Sequence, residues 1–388
     1  MKSINAIFAS SDEIELSDLA QLCQQTLNLD HYPTANQCQQ NVLIYQAQDL
    51  MNAMKRDPGA TLSELHLALS TSGPGVLVIK QAQPNMALLD RHNTLYEAIL
   101  QQEAGSTQGG DHFAKQGANG RIWNALQKVA LADPDAFLHY YKNPVLSWVA
   151  EAWLGPNWQM TSQVNIVRPG GQAQQPHRDY HLGFQSDETC SRYPISLHRL
   201  SSSLTLQGAL AHSDMPLNSG PTQLLPFSHQ YELGYMAWRK PEVKQYFAEH
   251  HVQLPLEKGD ALFFNPALLH AAGQNRTSDL HRIGNLLQIS ASFGKTMEAI
   301  DHQTMCSYLY TATLKAWQQS ALDEQELNTL VNSIADSYAF PTNLDLDTPQ
   351  GETAPSTQAQ HFVQHIKDLV SPEEYQHSLA RLCQKRCP

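Results

Sequence analysis

Between residues 157 and 295 the chain consists of short apolar runs separated by turn residues, at 160–167, 202–210, 221–226, 252–256, 260–265 and 283–293. Runs of this length, rich in β-branched and aromatic residues, read as strands. Several in series fold into an antiparallel barrel or jelly roll. On either side the periodicity is helical: Leu16, Leu19, Leu22 and Leu27 recur near helical spacing, as do Leu43, Tyr45, Leu50 and Met54 less cleanly. Gln318–Ala339 and Thr357–Cys383 carry the same spacing beyond the strands, separated by a Pro/Thr/Asp-rich loop at 341–355. The expected fold class is therefore α+β, a double-stranded β-helix (jelly-roll) core with flanking α-helices. The expected boundaries are an N-terminal helical extension over 1–60, a jelly-roll domain over 61–296 and a C-terminal helical extension over 297–388. Val76–Lys80 reads as a strand entered through Gly73-Pro74-Gly75, Met86–Gln102 as a helix, and Pro144 as a break within a helix from 132 to 154. Residues 105–120 carry five glycines and no periodicity, so they read as a loop, either an ordinary surface loop or a lid over a pocket.

A chain of 388 residues is long enough to bury a substantial core, and a net charge of -12 argues against nucleic acid and anionic membranes as partners. It does not forbid an anionic ligand in a locally basic pocket. No apolar run is long enough to span a bilayer, and the N-terminus reads as mature sequence without a secretory signal. Six scattered cysteines suit reduced cytosolic thiols. The expected location is the cytoplasm and the expected partner a small-molecule substrate, with homo-oligomerisation open.

Within the strand-rich region stand His177-Arg178-Asp179 and, far downstream, His270 and Arg282. On an extended segment residues two apart share a face, so His177 and Asp179 can ligate one metal ion while Arg178 points elsewhere. Two histidines and a carboxylate on one face of an octahedral ion leave three positions open, the arrangement of non-haem Fe(II) oxygenases. A second His-x-Asp, His212-Ser213-Asp214, follows a strand and enters a turn, which favours the first pair as the metal site. For the third ligand, His270 follows the strand Gly259–Phe264 and suits a barrel end. His229 reads as a structural histidine, and His281 opens the following strand. Arg282 lies at a strand start among Ile283, Leu286, Leu287 and Ile289, where a buried guanidinium needs an anion. The far carboxylate of a chelating 2-oxo acid would meet its bidentate fork. Arg276 sits in a polar turn and reads as exposed.

As an ordered set, residues 62–295 resemble the phytanoyl-CoA dioxygenase family of Fe(II)/2-oxoglutarate-dependent oxygenases. The matching stretches are the Gly75–Lys80 strand, Gln163-Val164-Asn165 before Pro169-Gly170-Gly171, and His177-Arg178-Asp179. Asn218-Ser219-Gly220-Pro221, Leu224–His229, Gly259-Asp260, His270 with Asn275, and Arg282 complete the set. Pro226-Phe227-Ser228-His229 departs slightly from the family's usual Pro-Gly-Ser-His. The resemblance implies Fe(II), 2-oxoglutarate and O2 as cofactor and co-substrates. It implies His177, Asp179 and His270 as iron ligands, Arg282 on the far carboxylate, and Gln163 or Asn165 as further co-substrate contacts. It implies oxidation of an unactivated C–H bond with release of succinate and CO2. A carboxylate at Asp179 leaves no iron position for chloride, so hydroxylation or another oxidation, such as desaturation or ring closure, is expected rather than halogenation. Arg178, Tyr180, His181 and Trp123 are the candidate substrate residues. Two competing readings are a cupin-like metal enzyme without 2-oxoglutarate, for which Arg282 has no use, and a non-catalytic jelly-roll binding protein, for which the ligand set has none.

Overall fold

The computed structural model describes residues 7–104, 119–349, 351 and 353–388. The candidate lid segment therefore lies outside the described residues, apart from Asn119 and Gly120, which begin a strand. Among the described residues the strands are β1 (Gln37–Gln39), β2 (Val42–Gln46), β3 (Val76–Lys80), β4 (Asn119–Ile122) and β5 (Trp158–Val167), followed by β6 (Thr205–Ala211), β7 (Gln223–Leu224), β8 (Ala261–Phe264), β9 (His270–Ala271) and β10 (Arg282–Ala291). Eight form one sheet in the order β1-β2-β3-β8-β6-β10-β5-β4, and β7 pairs with β9 in a separate ladder. The result is a mixed α+β structure with a large, mostly antiparallel sheet.

The chain divides into two compact units: residues 1–84, 110–121 and 164–286, and residues 85–109, 122–163 and 287–388. In the first, β2 runs parallel to β3, with Leu43 opposite Leu77, and the helices Ala47–Arg56 and Pro58–Leu69 make the crossover between them. Asp57 caps the second helix on the Ala60 N–H, and Pro58 occupies a first-turn position where its missing N–H costs nothing. Val42–Tyr45 thus forms a strand, where the sequence pattern reads as weakly helical. Its four apolar residues are all buried, as a strand covered on both faces requires, and so short a run has no distinctive period. β3 continues antiparallel to β8 and β8 to β6, with Val76 opposite Phe264 and Phe264 opposite Gln207. Val42, Ile44, Val76, Val78, Leu224, Leu254, Leu262, Phe264 and Leu268 pack into one core. Gly208 is required there, because a Cβ would come within 2.7 Å of the Phe263 ring.

Residues 252–256, expected as a strand, make only isolated bridges, Val252 to Leu224 and Leu256 to Met215. Asp260 anchors the turn before β8: it accepts from Lys80 Nζ at 2.5 Å, from Gln81 N at 2.9 Å and from Glu257 N at 2.7 Å.

The second unit is mainly helical. The expected helix over Thr357–Cys383 is two helices, Gln358–Lys367 and Pro372–Arg386. Leu369 takes a left-handed conformation (φ 54°), and Ser371 caps the next helix with Pro372 in its first turn, so the break is local chemistry. Tyr310 and Tyr375 stack at 3.8 Å, with Phe362 edge-on to both. All six cysteines are free thiols. No helix among the described residues is long and apolar enough to cross a membrane.

Candidate metal centre

Residues 170–179 run beside residues 266–275. Gly170 N–H donates to Asn275 O, Gln174 N–H to Ala272 O, and His177 and His270 exchange backbone hydrogen bonds at 3.0 and 3.2 Å in a single antiparallel bridge. His177 is thus held by one bridge rather than by the regular strand the pattern suggests. The turn that returns the partner segment is tied by Asn275, whose amide donates to Val167 O and Leu280 O.

Extended alternation holds only as far as Asp179. His177 and Asp179 project to one side, with Nε2 3.6 Å from Oδ1, and His270 Nε2 stands 3.5 Å from Asp179 Oδ2. All three ligand atoms lie within 4.8 Å of one another, comparable to the roughly 3–4 Å between donors that each sit about 2.1 Å from one ion. Each histidine is oriented from behind. His177 Nδ1 is 2.8 Å from Gln175 O and His270 Nδ1 is 2.9 Å from Leu268 O. An Nδ1–H given to a carbonyl leaves the Nε2 lone pair for a metal.

Burial pushes the His177 imidazole below its ordinary pKa, against the pull of Asp179. Burial alone would raise Asp179, but His177, His270 and the Gln207 amide outweigh it and hold the carboxyl well below the usual carboxylate range. A neutral imidazole beside an ionised carboxylate is the protonation state a divalent cation needs. The donor set, its spacing and the free Nε2 positions fit iron(II).

Two buried arginines of the same unit contrast sharply. Arg178, on the opposite side from the ligands, donates through Nη2 to Ser228 O at 2.5 Å and Tyr231 O at 2.9 Å, and lies over the Tyr235 ring. Its guanidinium is thereby occupied by the protein's own groups, which removes it from the substrate contacts expected of it. Arg282, at the start of β10, has Ser219 O at 3.4 Å as its hydrogen-bond partner, and no carboxylate pairs with it among the described residues. Burial lowers each to about 10. Arg282 fits the far carboxylate of a dicarboxylic co-substrate, since a buried cation without an anion is costly.

Of the remaining candidates, Asn165 lies on β5 in the same unit, and its Oδ1 is buried without a hydrogen-bond partner. Gln163 belongs to the second unit, where its amide donates to Met297 Sδ at 3.4 Å, and Trp123 also belongs to that unit. Tyr180 is buried. It and His181 adopt positive φ (64° and 40°), which ends the alternation that would have turned His181 inward. His181 Nδ1 is 3.4 Å from Ser201 Oγ. His229 is buried with Nε2 2.9 Å from Ser70 O, a structural placement. His212-Ser213-Asp214 holds the sheet turn: Ser213 accepts from Ile283 N and Asp214 from Lys258 N. Arg276 is exposed.

Two neighbours of the ligands had no sequence motif to announce them. Gln207 Nε2 donates to Asp179 Oδ2 at 2.5 Å, and the Phe264 ring lies 4.7 Å from the His270 ring. The available signal for Gln207 is a lone amide inside an otherwise apolar strand, Leu204–Leu210.

A family model described as phytanoyl-CoA dioxygenase (PhyH) matches residues 72–284. Among curated proteins, "Dioxygenase trt7" of Aspergillus terreus is 27% identical over 148 residues, 38% of this chain and 46% of that protein. "Phytanoyl-CoA dioxygenase, peroxisomal" of Homo sapiens is 26% identical over 227 residues, 54% of this chain and 63% of that protein. The chain thus spans less than two thirds of the length of these relatives. Among solved structures, the non-heme alpha ketoglutarate dependent epimerase SnoN aligns over 61% of this chain and 84% of its own, with 17% identity and a TM-score of 0.41.

Proposed function

Because the chain belongs to the phytanoyl-CoA dioxygenase family, whose members use Fe(II), 2-oxoglutarate and O2, we propose that it oxidises an unactivated C–H bond of a small organic substrate, by hydroxylation or another oxidation such as desaturation or ring closure, rather than by halogenation. Its core is read as the family's jelly roll, carried on residues 61–296 with an N-terminal extension that adds β1 and β2 to the sheet and a helical C-terminal extension, and its place of work as the cytoplasm. The observation that carries the proposal is the convergence of His177, Asp179 and His270 on one point.

In this reading the iron and 2-oxoglutarate supply the oxidising power, with succinate and CO2 released. The chain's residues bind, orient and shield. His177 and His270 offer Nε2, kept free by the carbonyls of Gln175 and Leu268. Asp179 offers a carboxylate oxygen and balances the metal's charge. Arg282 receives the far carboxylate of 2-oxoglutarate, and Asn165, on the same unit, gives it a further hydrogen bond. Arg282 favours this reading over a cupin-like enzyme without 2-oxoglutarate, because that enzyme would bury the cation for nothing.

Anaerobic titration of the metal-free protein with Fe(II) and 2-oxoglutarate tests it. The expected result is the weak visible charge-transfer band of iron chelated by a 2-oxo acid, lost in His177→Ala and weakened in Arg282→Ala. Iron uptake without the band would transfer the site to the cupin-like reading. No iron uptake would leave a binding protein.

A further inference from the structure

The three ligands are supported by side chains outside the ligand pattern, and two of these supports share one rung of the sheet. Gln207 on β6 and Phe264 on β8 are directly opposed in register, so their side chains leave the same face. Gln207 is 4% exposed, and its amide nitrogen stands 2.5 Å from Asp179 Oδ2. A carboxylate only accepts, so the nitrogen end of the amide must be the end that faces it. The Gln207 carbonyl end is buried and engaged by no donor. The Gln207 amide is thus engaged by Asp179 alone and makes no side-chain hydrogen bond to the sheet. Beside it, the Phe264 ring meets the His270 ring at 4.7 Å and 55°, while Leu268 O holds the Nδ1 edge of that histidine.

We infer that the Gln207–Phe264 rung is the positioning device of the metal centre. Gln207 occupies Oδ2 so that Asp179 meets the metal through one oxygen, and Phe264 fixes the plane of His270. The consequence is a count of coordination positions. A carboxylate free to chelate with both oxygens takes a fourth position on an octahedral ion, leaving two for a bidentate 2-oxo acid and none for O2. A one-oxygen Asp179 leaves three. Gln207 and Phe264 are positioning residues, since they touch the ligands and not the reacting atoms. The inference rests on the reading that His177, Asp179 and His270 hold iron.

The test uses the full chain loaded with Co(II), whose visible ligand-field spectrum reports coordination number and geometry without turnover. Gln207→Met keeps length and volume but removes the donor, and Gln207→Glu keeps the shape but faces Asp179 with a second carboxylate. Phe264→Leu removes the ring. Both Gln207 variants are expected to change the Co(II) spectrum, as Asp179 is freed to offer both oxygens, and to shift metal affinity by about 10- to 100-fold, while thermal unfolding shows them folded. Phe264→Leu is expected to lose about 10-fold, at the lower end of the same range. If one Gln207 variant fails to fold, the other decides. Folded Gln207 variants with the wild-type spectrum and affinity would overturn the inference and leave the iron reading standing. A wild-type chain that takes up neither Co(II) nor Fe(II) would overturn both.

Discussion

The metal-centre segments, 170–179 with 264–282, and the C-terminal helices, 302–386, obey local rules to different degrees. In the helices, Asp323 with Glu326, Thr357 with Gln360 and Ser371 with Glu374 form complete capping boxes, and Tyr310, Phe362 and Tyr375 fill the space between them. Capping and packing point the same way along most of these helices, with Leu369 at positive φ and His361 Nδ1 buried without a hydrogen-bond partner as exceptions. Around the ligands they conflict: Arg282 is buried without an acid, Tyr180 and His181 sit at positive φ, and Gln207 buries half an amide unmet. Such violations collect where a fold is organised around a ligand rather than around its own stability. Removing a residue should therefore cost function in one region and stability in the other. The largest effect tests the first half. His177→Ala should lower Fe(II) affinity by more than the about 100-fold upper end for a residue behind a ligand, read by metal titration. Its thermal midpoint without metal should hardly move.

The opposite behaviour is expected of Phe362, which is fully buried in the helical region. Phe362→Ala should cost about 3–5 kcal/mol in denaturant unfolding, with Co(II) affinity of the folded protein unchanged. A changed affinity would break the separation. Arg282→Met sharpens the comparison, because its two readouts should move in opposite directions. It should weaken 2-oxoglutarate binding by about 2–4 kcal/mol, or about 30- to 1000-fold. It should also stabilise the ligand-free protein by about 1 kcal/mol or more, by removing an uncompensated buried cation. A variant less stable without co-substrate would mean that Arg282 serves the fold.

The same contrast explains what the sequence makes legible. Iron chemistry restricts ligand types so severely that His177, Asp179 and His270 stand out in chain order, and the structure brings all three together. The destination of Arg178 does not stand out. Its slot exists because Gly234, 56 residues later, has no side chain to fill it, and its acceptors are backbone oxygens that could belong to any residue type. Gln207 is hidden for a related reason: its role follows from register opposite Phe264, a long-range fact of strand pairing. Among the elements, the C-terminal helices are readable from apolar spacing but not from their ends: the helix expected within Gln318–Ala339 spans only Glu324–Ile334, and Ser371 with Pro372 divides the stretch over Thr357–Cys383. Val42–Gln46 is not readable from spacing, since a short apolar run next to a helix has the signature of either state.

The smallest expected effect concerns pH and uses one histidine from each region's unit. Burial lowers both His229 and His92 to about 4, from an ordinary value of 6.5. Around His229, Ser70 O opposes the shift and the Arg178 charge adds to it. Around His92, Leu88 O and Asp133 oppose it and Arg91 adds to it. With the folded value depressed, the unfolded chain takes up the proton first as pH falls. The stability these neutral imidazoles contribute is therefore complete above about pH 6.5, declines between 6.5 and 4, and is fully lost below about 4. At pH 5 each should cost on the order of 2 kcal/mol relative to pH 7. Denaturant unfolding at pH 7, 6 and 5 measures the slope. His229→Asn, which keeps a donor for Ser70 O but cannot titrate, should flatten the part that His229 contributes. If the slope is unchanged, His229 takes up its proton without leaving its place against Gly75 and Ser70, and the first unit is softer around its structural histidine than its burial implies.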